Sequence, residues 1–593
     1  MFRNSNLYRL LLLVFSFVGL ALAQFGTGEI SGLVTDPSGA AISQAEVKVL
    51  NTANGQTKII ATDREGRYSC LDLLVGTYTV EVNATGFKSH LSTGVELVSG
   101  SHIAVNVVLQ LGPVTESVEV SGSGARVETL SAQVSRVVEG RLLEDIPLNG
   151  RNVTSIMAIK PGISSTQAAN NFRPTSDARN YYINGSRAEN TNLSLDGVSM
   201  LSGRNNLKGV SIVSVDAVAE ANIVTSTYPA EFPRAGGGQV QFVTKSGTKQ
   251  FHGLLYDYLR NDAFDARSFQ TAAKQKLRYN QYGFSLGGPV VIPKVFNRDR
   301  EKLFFFANTE FIARHGESVD LSVVPTALER SGNFNGSKLF HCPKDAQDGA
   351  PLPGCTLPMN RLSPNGLGLL NLYPLPNVVG QPAFNFRQVS PSLEDVRSSS
   401  FRVDYLWANT RIFWRGLDTV DHTYGNRSTN FPSAPINTQT IGRSTAFTVT
   451  STLSSNKLNS FRLGAAARTD LMQVKPYSGN FEDYSRTKLG INFPYLFGND
   501  KELVDKIPTV IVSGLSTVDG SPYPSRAGMP SWQFQDDFSW IYGAHTFKFG
   551  AYFEYVGQNN LDQINVSTAP GSGNNQNGTF RFAASPGNPF STG

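Results

Sequence analysis

Residues 543–557 read GAHTFKFGAYFEYVG, and their order decides the fold of the C-terminal half. Phe547, Phe549, Ala551, Phe553 and Tyr555 fall on one side of an extended chain, while Lys548, Gly550, Tyr552 and Glu554 fall on the other. A period of two places alternate side chains on opposite faces of a strand. One face here is almost wholly aromatic.

The pattern recurs upstream. In RVDYLWANTRIFW (402–414), Val403, Tyr405 and Trp407 alternate with Arg402, Asp404 and Leu406. In EKLFFFANTEF (301–311), Leu303, Phe305, Ala307 and Phe311 alternate with Lys302, Phe304, Asn308 and Glu310. In QYGFSLGGPVVIP (281–293), Tyr282, Phe284, Leu286, Val290 and Ile292 share a side. Runs of roughly 9–11 residues suit tilted membrane strands and exceed the norm of about 5–6 for soluble sheets. Connections are unequal: the short turn YGAH (542–545) contrasts with the polar segment 325–397. Such asymmetry is typical of antiparallel barrels in outer membranes. A soluble sandwich or propeller also alternates, but explains neither the strand length nor the unequal loops.

The N-terminus agrees with export. Arg3 and Arg9 precede LLLVFSFVGLALA, with Ala21 and Ala23 before Gln24. This reads as a signal peptide over 1–23, because the apolar run falls short of the ~20 residues needed to span a bilayer. No other long apolar run follows, so membrane residence would require a β-barrel. Over 593 residues several domains are expected. The formal charge of +5 is dispersed with no Lys/Arg run, so nothing points to nucleic acid.

Residues 24–110 contain short runs rich in Val, Ile, Thr and Tyr, separated by DPSG, TANG and DREG. Turn signals every 8–12 residues predict an antiparallel β-sandwich. Residues 111–125, LGPVTESVEVSGSGA, read as a linker with a β-prone centre. Residues 126–248 mix helical spacing, broken at Pro147 and Pro161, with short strands, which predicts an α+β domain. Residues 249–593 carry the barrel pattern. The fold expected is therefore multidomain: an all-β sandwich, an α+β domain and an antiparallel transmembrane β-barrel.

Of three cysteines, Cys70 reads as a buried thiol. Cys342 and Cys355 flank a Pro/Gly-rich stretch, and after export a disulfide is expected there rather than a metal pair. No cofactor, metal site or catalytic residue is predicted.

Several motifs resemble known families. Gly32–Asp36, Ala45–Val47, Thr62–Tyr68 and Gly76–Val80 resemble the carboxypeptidase regulatory-like (transthyretin-like) domain. That domain is a non-catalytic accessory. A zinc peptidase would need His and Glu at ligand spacing, and none of the seven histidines has a Glu three or four residues on. The aromatics Tyr68, Tyr78 and Phe87 fit a core better than a sugar platform.

LEDIPLNGRNVTSIMAIKPGI (143–163), INGSRAENTNLSLDGVSM (183–200) and DAVAEANIVTSTYPAEFPRAGGGQVQFVTKSG (216–247) resemble the plug domain of TonB-dependent outer-membrane receptors. With the sandwich, the whole resembles the Oar-like subgroup. The resemblance implies that a plug blocks the barrel and that ligand binds outside. It also implies that a TonB box pairs with TonB of the inner-membrane complex by strand addition. Thr115, Glu116, Ser117, Val118, Glu119 and Val120 resemble such a box. Gly236, Gly237 and Gly238 match the plug-to-barrel turn, where positive φ and close approach to the barrel wall are expected. Arg187, Glu189 and Arg234 are candidate ligand contacts.

The implied function is uptake of a bulky nutrient through the outer membrane of a Gram-negative-type bacterium. Siderophore, oligosaccharide and peptide are all open as ligands. The rival is a surface carbohydrate-binding or adhesion protein without transport. Complete barrels of this kind have about 22 strands. Residues from 250 onward hold room for roughly ten to twelve, so the chain is expected to be a fragment.

Overall fold

The computed structural model describes residues 27–583, except 114–116, 122–133, 147, 167–179, 204–205, 235, 268, 270–273, 346–347, 427–434, 455, 475–485, 493–506, 519–524, 543–544 and 562–578. The segment 1–23 expected to be a signal peptide, Thr115, Glu116 and the centre of the 542–545 turn lie outside the described residues.

Nine strands make the N-terminal sandwich: β1 (Thr27–Thr35), β2 (Glu46–Asn51), β3 (Thr57–Ala61), β4 (Arg67–Leu74), β5 (Gly76–Asn83), β6 (Ser89–Leu97), β7 (His102–Ala104), β8 (Val107–Val108) and β9 (Ser117–Ser121). One sheet runs β4-β1-β7, with β8 also on β1, and the other runs β3-β2-β5-β6-β9. Alternate residues of β2 and β5 face inward, so Val47, Val49, Val80 and Val82 are wholly buried with Ile30 and Val107. Tyr68 and Tyr78 belong to this core, and Phe87 packs against it. Their hydroxyls donate to backbone oxygens of Val105 and Leu74, both at 2.7 Å, which makes burying them tolerable. Cys70 is buried, and burial pushes its thiol up to about 11. Within the segment read as a linker with a β-prone centre, Ser117–Ser121 is the edge strand of the second sheet, parallel to β6.

The middle domain comprises β10 (Val134–Glu139), α1 (Gly140–Asp145), β11 (Ile163–Ser165), β12 (Tyr181–Ile183), β13 (Thr191–Leu195), β14 (Val198–Ser199), β15 (Val218–Ser226) and β16 (Gly238–Thr244). Its main sheet runs β10-β15-β16-β13-β14. The helical reading of the first stretch is corrected over 134–139: three valines there pair antiparallel with β15, so a sheet edge overrides helical spacing. Gly236–Gly238 do not take positive φ; Arg234 does, at φ +62°. The atoms nearest to a Cβ on each of these glycines belong to their own domain. A Cβ on Gly237 would overlap Ser186, and one on Gly238 would sit 2.6 Å from Ile183 Cδ1 and 3.0 Å from Val224 O. Gly237 and Gly238 are crowded by their own domain, while a Cβ on Gly236 would make only ordinary contact with Asn190, at 3.6 Å.

The remaining strands are β17 (His252–Asn261), β18 (Leu277–Pro289), β19 (Leu303–Ser322), β20 (Phe386–Trp407), β21 (Thr410–Asn426), β22 (Pro435–Ser454), β23 (Lys457–Val474), β24 (Thr509–Val512), β25 (Ser525–Tyr542), β26 (His545–Val556), β27 (Asn559–Leu561) and β28 (Thr579–Phe582). All but β24 and β28 form one antiparallel sheet in sequence order, with β27 also on β25. No pairing closes this sheet among the described residues. Val290 and Ile292 fall beyond the end of β18.

Strands of 20 and 22 residues in β19 and β20 exceed the expected 9–11. The outward face explains the excess. On β20 it is apolar from Phe401 to Trp407, while Arg397, Asp418 and Arg443 form an exposed ion-paired row on neighbouring strands. From Phe401 to Trp407 the chain rises about 20 Å, which a tilt of about 45° reduces to about 14 Å, so the apolar stretch on β20 is far shorter than the strand. The rest of each strand continues beyond the bilayer. There the long connections build a small core of Val324, Leu369, Leu372, Tyr373, Ile491, Ile507, Val510 and Val518. In one of these connections Cys342 and Cys355 are disulfide-bonded, Cα–Cα 4.8 Å. No described helix is long and apolar enough to cross a membrane, a test silent about strands.

Candidate functional site: a plug held by the lumen face

The inward face of the sheet is polar. Arg402, Asp404, Arg415, Gln533 and Gln535 are buried, whereas Phe401, Trp407, Phe549 and Phe553 on the outward face are exposed. What buries the polar face is the middle domain. Phe306 and Leu417 of the sheet join its core cluster directly.

The centre of the contact is Asp196, in the turn between β13 and β14. Its Oδ1 accepts from Thr244 N at 3.0 Å, and its Oδ2 from Thr244 Oγ1 at 2.9 Å. Two arginines of the sheet converge on it: Arg402 at 3.4 Å and Arg415 at 3.2 Å. Arg415 also donates to Leu195 O at 3.0 Å and Ser444 Oγ at 2.9 Å. Arg402 forks onto Asp404 through two 2.8 Å bonds, and Ser246 Oγ donates to the same carboxylate at 2.8 Å. The four charged side chains carry two of each sign and are all at least 96 % covered. Buried charges persist only when paired and hydrogen-bonded in this way.

Around that centre the domain is pinned at several heights. Arg234 Nε meets Glu554 at 3.1 Å, and its Nη1 donates to Ser199 Oγ at 3.1 Å. Ser199 N–H donates to Gln533 Oε1 at 2.9 Å. Arg151 pairs with Asp216 at 2.7 Å and lies 4.2 Å over the Tyr258 ring. Ser214 and Tyr256 both donate to Glu310 Oε2, at 3.1 and 2.8 Å. Ser398 Oγ and Thr419 Oγ1 donate to Ile212 O at 2.6 and 3.2 Å.

Of the predicted ligand contacts, Arg234 is thus engaged with the wall. Arg187 and Glu189 stand exposed on a short 3-10 turn, which Asn206 tethers through a 2.6 Å bond to Glu189 O. The three are not gathered into one pocket. Sequence reasoning passed over Asp196, Arg402 and Arg415. The signal available was the lumen-face assignment of Arg402 and Asp404; the partner more than two hundred residues away was not visible. Among the described residues no three His, Cys, Asp or Glu side chains cluster as metal ligands.

Residues 243–592 match the family described as Outer membrane beta barrel domain. The chain belongs to that family. Residues 29–110 match the Carboxypeptidase regulatory-like domain. The TonB-dependent transporter Oar of Myxococcus xanthus is 26% identical over 304 residues, which cover 48% of this chain and 27% of that relative. The chain thus spans about a quarter of that relative's length. Its two matched domains and this relative make it similar to Oar-like TonB-dependent receptors, and it is a protein of the Gram-negative outer membrane. Among solved structures, the outer membrane transporter YddB of Escherichia coli aligns with TM-score 0.40 at 12% identity, covering 71% of this chain and 48% of that one. The ferric enterobactin receptor PfeA of Pseudomonas aeruginosa, as its G324V mutant, aligns with TM-score 0.39 at 11% identity, covering 74% and 53%.

Proposed function

We propose that this receptor binds a bulky nutrient at the outer face and admits it through the barrel when TonB, energised from the inner membrane, displaces the plug. One observation carries the reading: the plug is fastened to the lumen face by hydrogen bonds and ion pairs around Asp196 rather than by a continuous apolar interface. Polar contacts are exchanged for water at little net cost once the lumen is wet, whereas an apolar seal resists separation. The exposed Arg187 and Glu189 would meet ligand in this reading. Siderophores, oligosaccharides and peptides form the test panel. Catalysis plays no part.

A strain lacking the full-length gene is grown on ferric siderophores, oligosaccharides and peptides as sole iron or carbon source. One of these should fail to support growth, and a protonophore should abolish its uptake in the wild type while leaving surface binding intact. Uptake insensitive to the protonophore, or binding with no uptake at all, would instead favour a binding or adhesion protein.

A further inference from the structure

The sandwich shares no buried apolar cluster with the rest of the chain. Its own cluster holds residues up to Leu109, whereas the plug's cluster takes in Phe306 and Leu417 of the sheet. What attaches the sandwich is polar, and it reaches the sheet and the plug at once.

The attachment to the sheet is built on a bulge. In β4, Leu71 and Asp72 together oppose Glu29 of β1, between the pairs Cys70–Ile30 and Leu73–Gly28. Asp72 takes φ +53°, a left-handed conformation that a non-glycine residue keeps only where its surroundings over-determine it. Lys58 Nζ secures the bulge by donating to Leu71 O at 2.6 Å and Asp72 O at 3.1 Å, and it reaches Thr452 Oγ1 at 3.3 Å. A bulge re-aims a side chain, and this one aims Asp72 at the sheet. Arg411 Nη2 donates to Asp72 Oδ1 at 3.2 Å, with both side chains nearly covered. Among the described residues no other carboxylate is ion-paired with Arg411, and its Nε has no hydrogen-bond partner. Arg411 lies 5.7 Å from the centre of the Phe413 ring, which Arg402 faces at 4.5 Å. The sandwich therefore meets the same patch of sheet that anchors the plug. Arg411 and Thr452 adjoin the short turns after β20 and β22, and short turns mark the periplasmic end of such barrels.

The attachment to the plug is a turn. Ser99 N–H donates to Glu220 Oε1 at 2.9 Å, and Asn222 Nδ2 donates to Ser99 O at 3.2 Å; both side chains come from β15 of the plug. Lys249, where the chain passes from plug to sheet, donates its N–H to Ala53 O at 3.3 Å. A cavity of about 500 Å³ lies where the three domains meet, bordered by Asn54, Lys245 and Gly287.

We propose that the sandwich is a latch across the periplasmic mouth: by holding sheet and plug together it keeps the plug seated, and it has to leave Arg411 before the plug can move. The proposal rests on the reading above that the plug is displaced, and adds a second lock to it. A permanent joint between domains would bury a shared apolar core. Polar contacts around a cavity are instead exchanged for water at little net cost. Arg411, sited at the mouth, is hydrated once the sandwich lifts rather than left as a stranded charge.

The test places the full-length receptor in planar lipid bilayers. Urea is titrated into the chamber on the sandwich side until potassium chloride conductance reports an open lumen. Asn tolerates positive φ as Asp does, so D72N keeps the bulge and removes the charge. D72N should open at about 1 M less urea than wild type, and R411Q and D72N/R411Q should open where D72N does, because the two side chains act as one contact. An unchanged midpoint in D72N overturns the latch, and so do single shifts that add in the double variant. A covalent arm works in the opposite direction. The native cysteines are buried or already bonded, so K58C/T452C can be joined selectively with a flexible bismaleimide. The joined protein should need more urea to open than the same variant unjoined. That gain should vanish when E220A/N222A is added, because the sandwich then no longer grips the plug. No gain on joining, or the same gain with and without E220A/N222A, overturns the latch. If urea opens neither wild type nor variants, the displaced-plug reading itself falls and takes the latch with it.

Discussion

The sandwich and the barrel are both sheets of alternating residues, yet they are inside out with respect to each other. In β5 of the sandwich Val80 and Val82 are fully buried, and Glu81 between them is not. In β20, Arg402 is 3% exposed and Asp404 2%, while Phe401 is 40% exposed. The backbone periodicity is the same; the surrounding solvent differs. Water rewards burial of the apolar face, whereas lipid accepts that face and leaves the polar one to be satisfied internally. The barrel meets this demand with a second domain, so its interior is an interface rather than a core.

The largest break in that contrast should come from Asp196→Ala. It leaves Arg402 and Arg415 facing each other without their shared carboxylate, a loss of about 3–5 kcal/mol for breaking a buried ion pair. Trypsin digestion of outer-membrane vesicles reads it: plug fragments should appear from the variant and not from wild type. An intact plug in the variant would mean that the peripheral contacts suffice.

A smaller effect sharpens the outward half of the comparison. Phe549→Arg places a cation on the exposed aromatic face, where the cost is about 2–4 kcal/mol at the bilayer midplane and falls toward the interfaces. Urea denaturation of the refolded full-length protein in lipid vesicles should show that loss.

The smallest effect is confined to the sandwich. Glu29 is buried beside His102 Nδ1 at 3.0 Å and Ser69 Oγ at 2.6 Å. Burial is the strongest single influence and raises its carboxyl. The bonds from His102 and Ser69, with the charges of His102 and Lys548, together outweigh it and hold the group below its ordinary 4.5. A depressed folded value contributes stability that is fully present above the unfolded value of 4.5 and fades as pH falls through the folded one. Thermal unfolding should therefore lose a Glu29-dependent increment below about pH 4.5, and Glu29→Gln should flatten the profile there. An identical acid profile for Glu29→Gln would remove Glu29 from the account.

Much of this was legible in the chain because it is local. Phe547, Phe549, Phe553 and Tyr555 declare a strand and its outward face within nine residues, since period two is a property of neighbours. Cys342 and Cys355 declared a loop closure for the same reason. Other features were illegible because they depend on distant partners. Val134, Val137 and Val138 became a strand only because β15 offered an edge. Gly237 and Gly238 are tight places because Ser186 and Ile183 lie against them, whereas Gly236 is not crowded.

By itself, then, the order of residues determined three things: a sandwich, a mixed domain, and long strands whose aromatic side demands lipid. Each follows from spacing along a few neighbouring positions. Only the folded chain decided that Asp196 would gather Arg402 and Arg415, and that Ser117–Ser121 would lie on β6 instead of hanging loose. A charge or a short β-prone run has no preferred partner in its own neighbourhood. Its place is set by which complementary group the rest of the fold brings within bonding distance, and by the cost of leaving either one unmet.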